Sequence, residues 1–154
     1  MNNLSRFIRF YVHCLGNVLR FLQILYLRAA GVRIGHGCMI SFRAKIDARR
    51  GRIIIGDNCT ITYGCVILSH DRSAMHIDPA DDGEGEVVIG NNVYIGVNSV
   101  VLRNVHIGDN SVIGAGSVVI SDIPEGVVAV GNPARVVKAI PRLQSGGVEP
   151  VSTG

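Results

Sequence analysis

Residues 89–119 read IGNNVYIGVNSVVLRNVHIGDNSVIGAGSVV. An aliphatic side chain returns at every sixth place: Ile89, Ile95, Val101, Ile107, Ile113 and Val119. Helices repeat at about 3.6 residues and strands at about 2, so neither period explains it. A spacing of six fits a chain that makes one short strand and one turn per unit. Two side chains of each unit then point inward. The second place is often glycine, as at Gly35, Gly56, Gly90, Gly96, Gly108 and Gly114. The fifth is small or β-branched: Cys38, Ala44, Cys59, Cys65, Val93, Ser99, Val105, Ser111 and Ser117. The same phase runs through Ile34, Ile40 and Ile46, and through Ile55, Ile61 and Ile67. Three extra residues around Arg49–Arg50–Gly51 separate these two blocks, and a longer insertion precedes the third. No unit of six can bury its inward face alone, so stacking must supply the core. The expected fold is an all-β solenoid.

Composition agrees with that reading. The chain has 154 residues, which fits one domain. It is 47% hydrophobic but only 5% aromatic, with no Trp, so Val, Ile, Leu and Ala must build the core. Its 19 glycines favour frequent turns. The net charge of +3 is unevenly spread. Residues 1–33 hold five Arg and no acid, and Arg43, Lys45, Arg49, Arg50 and Arg52 follow. Six acids and the single Arg72 lie between Asp71 and Glu86. Basic and aromatic residues do not interleave as single-stranded nucleic acid binding requires, so no nucleic acid partner is expected. Cys14, Cys38, Cys59 and Cys65 form no C-x-x-C pair, which argues against a zinc knuckle. Three of them fall on the small inward place, where Cys packs as a small hydrophobe. No small-residue cleavage site follows an apolar core, so a reducing cytoplasm is the expected location.

Residues 5–30 contain no Pro and read as a helix. Arg6, Arg9, His13, Gly16, Asn17, Arg20 and Gln23 form one polar stripe on it. A membrane span is disfavoured, because each Arg costs about 2.5–3.5 kcal/mol at a bilayer centre. The helix either caps the open end of the solenoid, packs between subunits, or lies on an anionic membrane. The basic run beyond it favours peripheral membrane contact, at the inner face. The division expected is an amphipathic helix over 1–31, a β-solenoid over 32–141 with a loop at 71–86, and a disordered tail over 142–154.

The motifs IGNNVYIG, IGDNSVIGAGSVV and VVAVGNPARVVK resemble the hexapeptide-repeat acyltransferases, and the likeness covers about Val32 to Ile140. It implies a left-handed parallel β-helix, three sixes to a triangular coil. It also implies a homotrimer with active sites between neighbouring subunits, and acetyl-CoA as acyl donor without a metal. The segment ILSHD is similar to the one that carries the family's catalytic histidine, so the resemblance makes His70 the general base. An imidazole titrates near neutrality, which suits the task. The resemblance places the oxyanion donor at the Val97 amide and CoA contacts at Val97, Ala115, Ile120, Ser121, Arg135 and Lys138. Asp47, from the preceding coil, is a candidate to orient His70. His76 shares the insertion without an assigned role, while His13, His36 and His106 read as solvated.

The activity this implies is transfer of an acetyl group to a sugar hydroxyl, on a cell-surface polysaccharide or its precursor. An amino sugar or another amine is the alternative acceptor. A zinc protein like the γ-type carbonic anhydrases shares the fold, but needs three His per site. His70 and His106 lie two coil lengths apart, and the position for a third is Ser111. A non-catalytic scaffold is the remaining alternative.

Overall fold

The computed structural model describes residues 3–47 and 49–141. The expected tail at 142–154 lies outside the described residues, as do the side chains of Arg6, Arg9 and His13. Helix α1 (Asn3–Ala29) leads into four coils of three short strands. The first coil is β1 (Arg33–Ile34), β2 (Met39–Ile40) and β3 (Lys45–Asp47). The second is β4 (Arg52–Ile55), β5 (Thr60–Ile61) and β6 (Val66–Leu68). A loop holding α2 (Ala74–Ile77) precedes the third coil, β7 (Glu86–Ile89), β8 (Tyr94–Ile95) and β9 (Val100–Val101). The fourth is β10 (Val105–Ile107), β11 (Val112–Ile113) and β12 (Val118–Val119). The strands β13 (Val127–Val130) and β14 (Arg135–Ala139) close the far end as an antiparallel pair.

Corresponding strands of successive coils pair in parallel, which makes three walls: β1-β4-β7-β10, β2-β5-β8-β11 extended by β13 and β14, and β3-β6-β9-β12. The fold is a left-handed β-helix of hexapeptide repeats with an N-terminal helix. Register explains the period of six. Ile34 lies beside Ile55, Ile55 beside Ile89, and Ile89 beside Ile107. The second wall aligns Ile40, Ile61, Ile95 and Ile113. The third aligns Ile46, Ile67, Val101 and Val119. Nearly all of these side chains are buried, Ile46 being partly so. The three residues at Arg49–Gly51 and the insertion after His70 leave the registers above and below them unbroken, because both bulge outward at the same edge.

The fifth place does more than fill space. Cys38 Sγ donates to Gly56 O (3.0 Å), Cys59 Sγ to Gly90 O (2.9 Å) and Cys65 Sγ to Gly96 O (3.1 Å). Ser99 Oγ donates to Gly114 O at 2.9 Å. A short polar hydrogen thus meets the second-place carbonyl of the next coil and ties the two coils together at the corner. The fourth place turns the corner. Asn58, Asn92, Asn98, Asn104 and Asn110 have φ between 55° and 59°, the left-handed region Asn tolerates. Glycine at the second place lets coils touch: a Cβ on Gly108 would stand 2.4 Å from Glu125 N and 2.8 Å from Pro124 C.

The expected consequence is that Gly108→Ala lowers unfolding free energy by about 1–3 kcal/mol through overpacking. Denaturant titration checks this, and an unchanged midpoint contradicts the proposed contact.

Candidate functional site

The edge where the third wall hands over to the first is the irregular one. Both interruptions of the repeat meet there. Ser69 follows β6, is fully buried, and its Oγ donates to Asp47 O (3.0 Å) and to Arg50 O. Gly51, at φ 69°, passes so close that a Cβ would lie 2.3 Å from Gly85 O and 2.4 Å from Ser69 O. The Arg49–Gly51 bulge is therefore a wedge beneath Ser69 and beside the returning end of the insertion. His70 comes next, half-buried, and its backbone bridges antiparallel to Glu84. The Asp71 amide donates to Gly83 O at 2.7 Å. Arg103 pins the insertion to the third coil, with Nη1 donating to Asp81 Oδ1 (3.0 Å) and Glu84 O (2.9 Å). That guanidinium lowers the Asp81 pKa. The insertion is thus a built feature, and Glu86 already belongs to β7.

His70 Nδ1 is buried and has no hydrogen-bond partner among the described residues. Buried polar atoms are ordinarily paired. Asp47 is 6% exposed and sits in the neighbouring strand, opposite Leu68. Its carboxylate accepts from Arg49, at 2.8 Å from Nε and 2.7 Å from Nη2, and forms no hydrogen bond to His70. The Arg49 hydrogen bonds, then its charge, with a smaller contribution from His70, hold the Asp47 pKa at about 2 against an ordinary 3.8, burial opposing. Asp47 therefore presents a permanent negative charge to the His70 neighbourhood.

The residues expected at the acyl donor separate into groups. Val97 and Ala115 occupy the third place of successive corners on the opposite edge of the third wall, between β8 and β9 and between β11 and β12. Val97 O accepts from Gly116 N at 2.8 Å, while the Val97 amide donates to no backbone carbonyl among the described residues. Ile120, Ser121 and Arg135 share one shallow cleft of about 360 Å³ with Asp122, Ala134 and Val136. Lys138 lies farther along β14, opposite Val128, outside that cleft. Within one chain, the His70 imidazole and the Val97 amide thus occupy opposite edges of one wall.

The remaining candidates stand apart. His106 lies in β10 in register with Val88, whereas His70 is at a corner, so the two do not stack despite their spacing. Ser111 is inside the prism, its Oγ donating to Pro124 O at 2.7 Å. No three His, Cys, Asp or Glu side chains gather to hold a metal among the described residues. Cys59 is fully buried, and burial pushes its thiol up to about 11, far from a reactive thiolate. Sequence reasoning left out Arg49, Ser69 and Arg103. The signal for Arg103 was available: an insertion with six acids and one Arg needs cations from elsewhere.

Comparison with known proteins bears on this geometry. The model of the bacterial transferase hexapeptide family (six repeats) matches residues 86–121. The chain is 40% identical over 119 residues to Protein CapG of Staphylococcus aureus, covering 74% of this chain and 69% of that one. It is 47% identical over 120 residues to the galactoside O-acetyltransferase of Escherichia coli K12, covering 76% of this chain and 58% of the relative. The solved structure of a galactoside acetyltransferase in complex with coenzyme A superposes with a TM-score of 0.64 at 38% identity, over 71% of this chain and 56% of that one. The chain therefore spans little more than half of the two galactoside proteins.

The depressed Asp47 pKa has a measurable consequence. A carboxylate with a lowered folded-state pKa contributes stability that is complete above its unfolded pKa and is lost as pH falls through the folded one. Between pH 4 and pH 2 the wild type should lose about 2 kcal/mol that Asp47→Asn does not lose, since each tenfold difference in proton affinity between the folded and unfolded chain is worth about 1.4 kcal/mol. Parallel denaturant titrations across that range check it. Identical slopes for the two proteins contradict the assignment.

Proposed function

Because this chain belongs to the bacterial hexapeptide-repeat transferases, a family that includes acetyl-CoA-dependent acetyltransferases, we propose that it moves an acetyl group from acetyl-CoA to a sugar hydroxyl. The acceptor is a cell-surface polysaccharide or its precursor, and His70 is the general base. The observation that carries this reading is the setting of His70. A buried serine, a glycine wedge and an anchored insertion fix its backbone at the only broken edge of an otherwise regular prism, among the described residues. Long ordered insertions in compact repeats are ordinarily functional.

The residues present fit a CoA thioester. Val97 offers a free amide, Ser121 lines the shallow cleft, and Arg135 beside it supplies a cation for phosphate. Acetyl-CoA would supply an acetyl group already activated as its thioester. His70 takes the proton of the acceptor hydroxyl as that oxygen attacks the acyl carbon. The Val97 N–H donates to the carbonyl oxygen as it gains charge, when stabilisation is worth most. His70 then returns the proton to the departing sulfur, so base and acid are one group. Asp47, held ionised by Arg49, keeps a carboxylate charge in the neighbouring strand throughout both steps.

The two edges bearing His70 and Val97 belong to one wall, so a neighbouring subunit must bring the second to the first. A homotrimer of parallel prisms meets that need, since each seam joins unlike edges. The sugar then lies in the seam beside the insertion.

His70→Ala should lower kcat by about 10²- to 10⁴-fold while leaving CoA affinity within about twofold. Thiol release from acetyl-CoA in the presence of nucleotide sugars and oligosaccharides measures both the activity and the acceptor class. Wild-type turnover in the variant refutes the base assignment, and turnover with amines alone refutes the sugar hydroxyl. Arg135→Ala should weaken acetyl-CoA binding about tenfold, through loss of one charge-assisted contact.

A further inference from the structure

Helix α1 is mounted inside out. Among its described side chains, only those of the last turns join the core: Leu27 is buried and Ile24 packs beside it. Before them, the side turned to the solenoid is polar. Gln23 Nε2 donates to Ala44 O at 3.3 Å, and Gly16 and Arg20, rather than an apolar side chain of the helix, face a groove whose solenoid wall mixes Ser41, Thr60 and Thr62 with Met39, Phe42 and Tyr63. The side turned away is apolar. Leu15, Val18, Phe21, Leu22, Leu25 and Tyr26 are all more than half exposed. An ordinary surface helix buries its apolar stripe and exposes its polar one. This one does the reverse over 15–26, which leaves a broad face of aliphatic and aromatic side chains open to the surroundings.

Charge identifies what covers it. Residues 1–33 contain five Arg and no acid. Arg28 is fixed on the carbonyls of Ile34 (2.8 Å) and Gly35 (2.9 Å), which locks the helix to the first coil. That coil adds exposed Arg33, Arg43, Lys45 and Arg50, while Arg49 and Arg52 are paired with Asp47 and Glu86. Most acids of the chain lie elsewhere, in the insertion and beyond. An apolar face bordered by exposed cations matches an anionic bilayer: side chains enter the acyl boundary and arginines meet lipid phosphates. A second copy would bring the same cations against them. Among the described residues, no helix is long and apolar enough to cross a membrane.

We propose that α1 and the basic first coil form a docking surface for an anionic lipid bilayer, with the helix lying flat in the headgroup region.

Co-sedimentation of the full chain with vesicles tests this. Vesicles of phosphatidylglycerol and phosphatidylcholine should bind at least about tenfold more protein than phosphatidylcholine alone, and added salt should reduce that excess. Phe21→Glu combined with Leu25→Glu should abolish binding, while solution mass and acetyl-CoA turnover stay as in wild type. Arg43→Glu with Arg50→Glu should remove the preference for anionic lipid without touching the apolar face. Equal binding to both vesicle types, or none to either, overturns the proposal. So does a fall in oligomeric mass in the Phe21→Glu/Leu25→Glu variant, which would make this face a contact between subunits.

Discussion

The structure depends on how closely successive coils approach at their corners. Parallel strands can stack at about 4.8 Å only if nothing at the turn holds them apart. Glycine at the second place removes the side chain that would do so, and the short thiol or hydroxyl at the fifth place ties the exposed carbonyl to the neighbouring coil. Asn or Gly at the fourth place reverses the chain in the left-handed region. The large aliphatic at the first place then has one destination, the column beneath its counterpart. The period of six is the covalent record of that corner.

A regular prism positions groups but offers no chemistry of its own. Chemistry requires the regularity to fail somewhere, and it fails at one edge. The Arg49–Gly51 bulge and the insertion after His70 both leave the prism where the third wall meets the first. Ser69 joins them through Asp47 O and Arg50 O, and Arg103 holds the insertion from the coil above. His70 thereby follows directly on β6 with its backbone held between two anchored irregularities, a setting that suits fixed geometry. Among the described residues, the unpaired Nδ1 and the free Val97 amide lie on different edges of one wall.

The repeat was legible in the sequence because every corner obeys the same steric rules. Ile89 to Val119 carries them without interruption, and the columns through Ile55, Ile61 and Ile67 follow the same phase. The break at His70 was legible as well, since it interrupts a strict period. The supporting contacts were not. Nothing local to Arg49 says that it turns back on Asp47 two residues earlier, because that depends on the bulge. The acids of the insertion call for a cation from elsewhere, but that Arg103 answers Asp81 was not legible, since the pair joins residues 22 apart across an insertion whose path the period does not fix. The orientation of α1 was hidden for a different reason: the stripe of Gly16, Arg20 and Gln23 marks a polar face, and periodicity alone does not tell which face meets the protein.

The shared site is tested most directly by complementation between two inactive chains. His70→Ala removes the base, and Val97→Pro removes the amide hydrogen while keeping the base. If each site takes its imidazole from one subunit and its amide from the next, co-expressed equal amounts should regain about one quarter of wild-type activity, from seams that pair two intact edges. If mixed assemblies form, each chain being recovered through a tag on the other, and activity stays at the level of the separate variants, the two groups do not meet across a seam and the account is wrong.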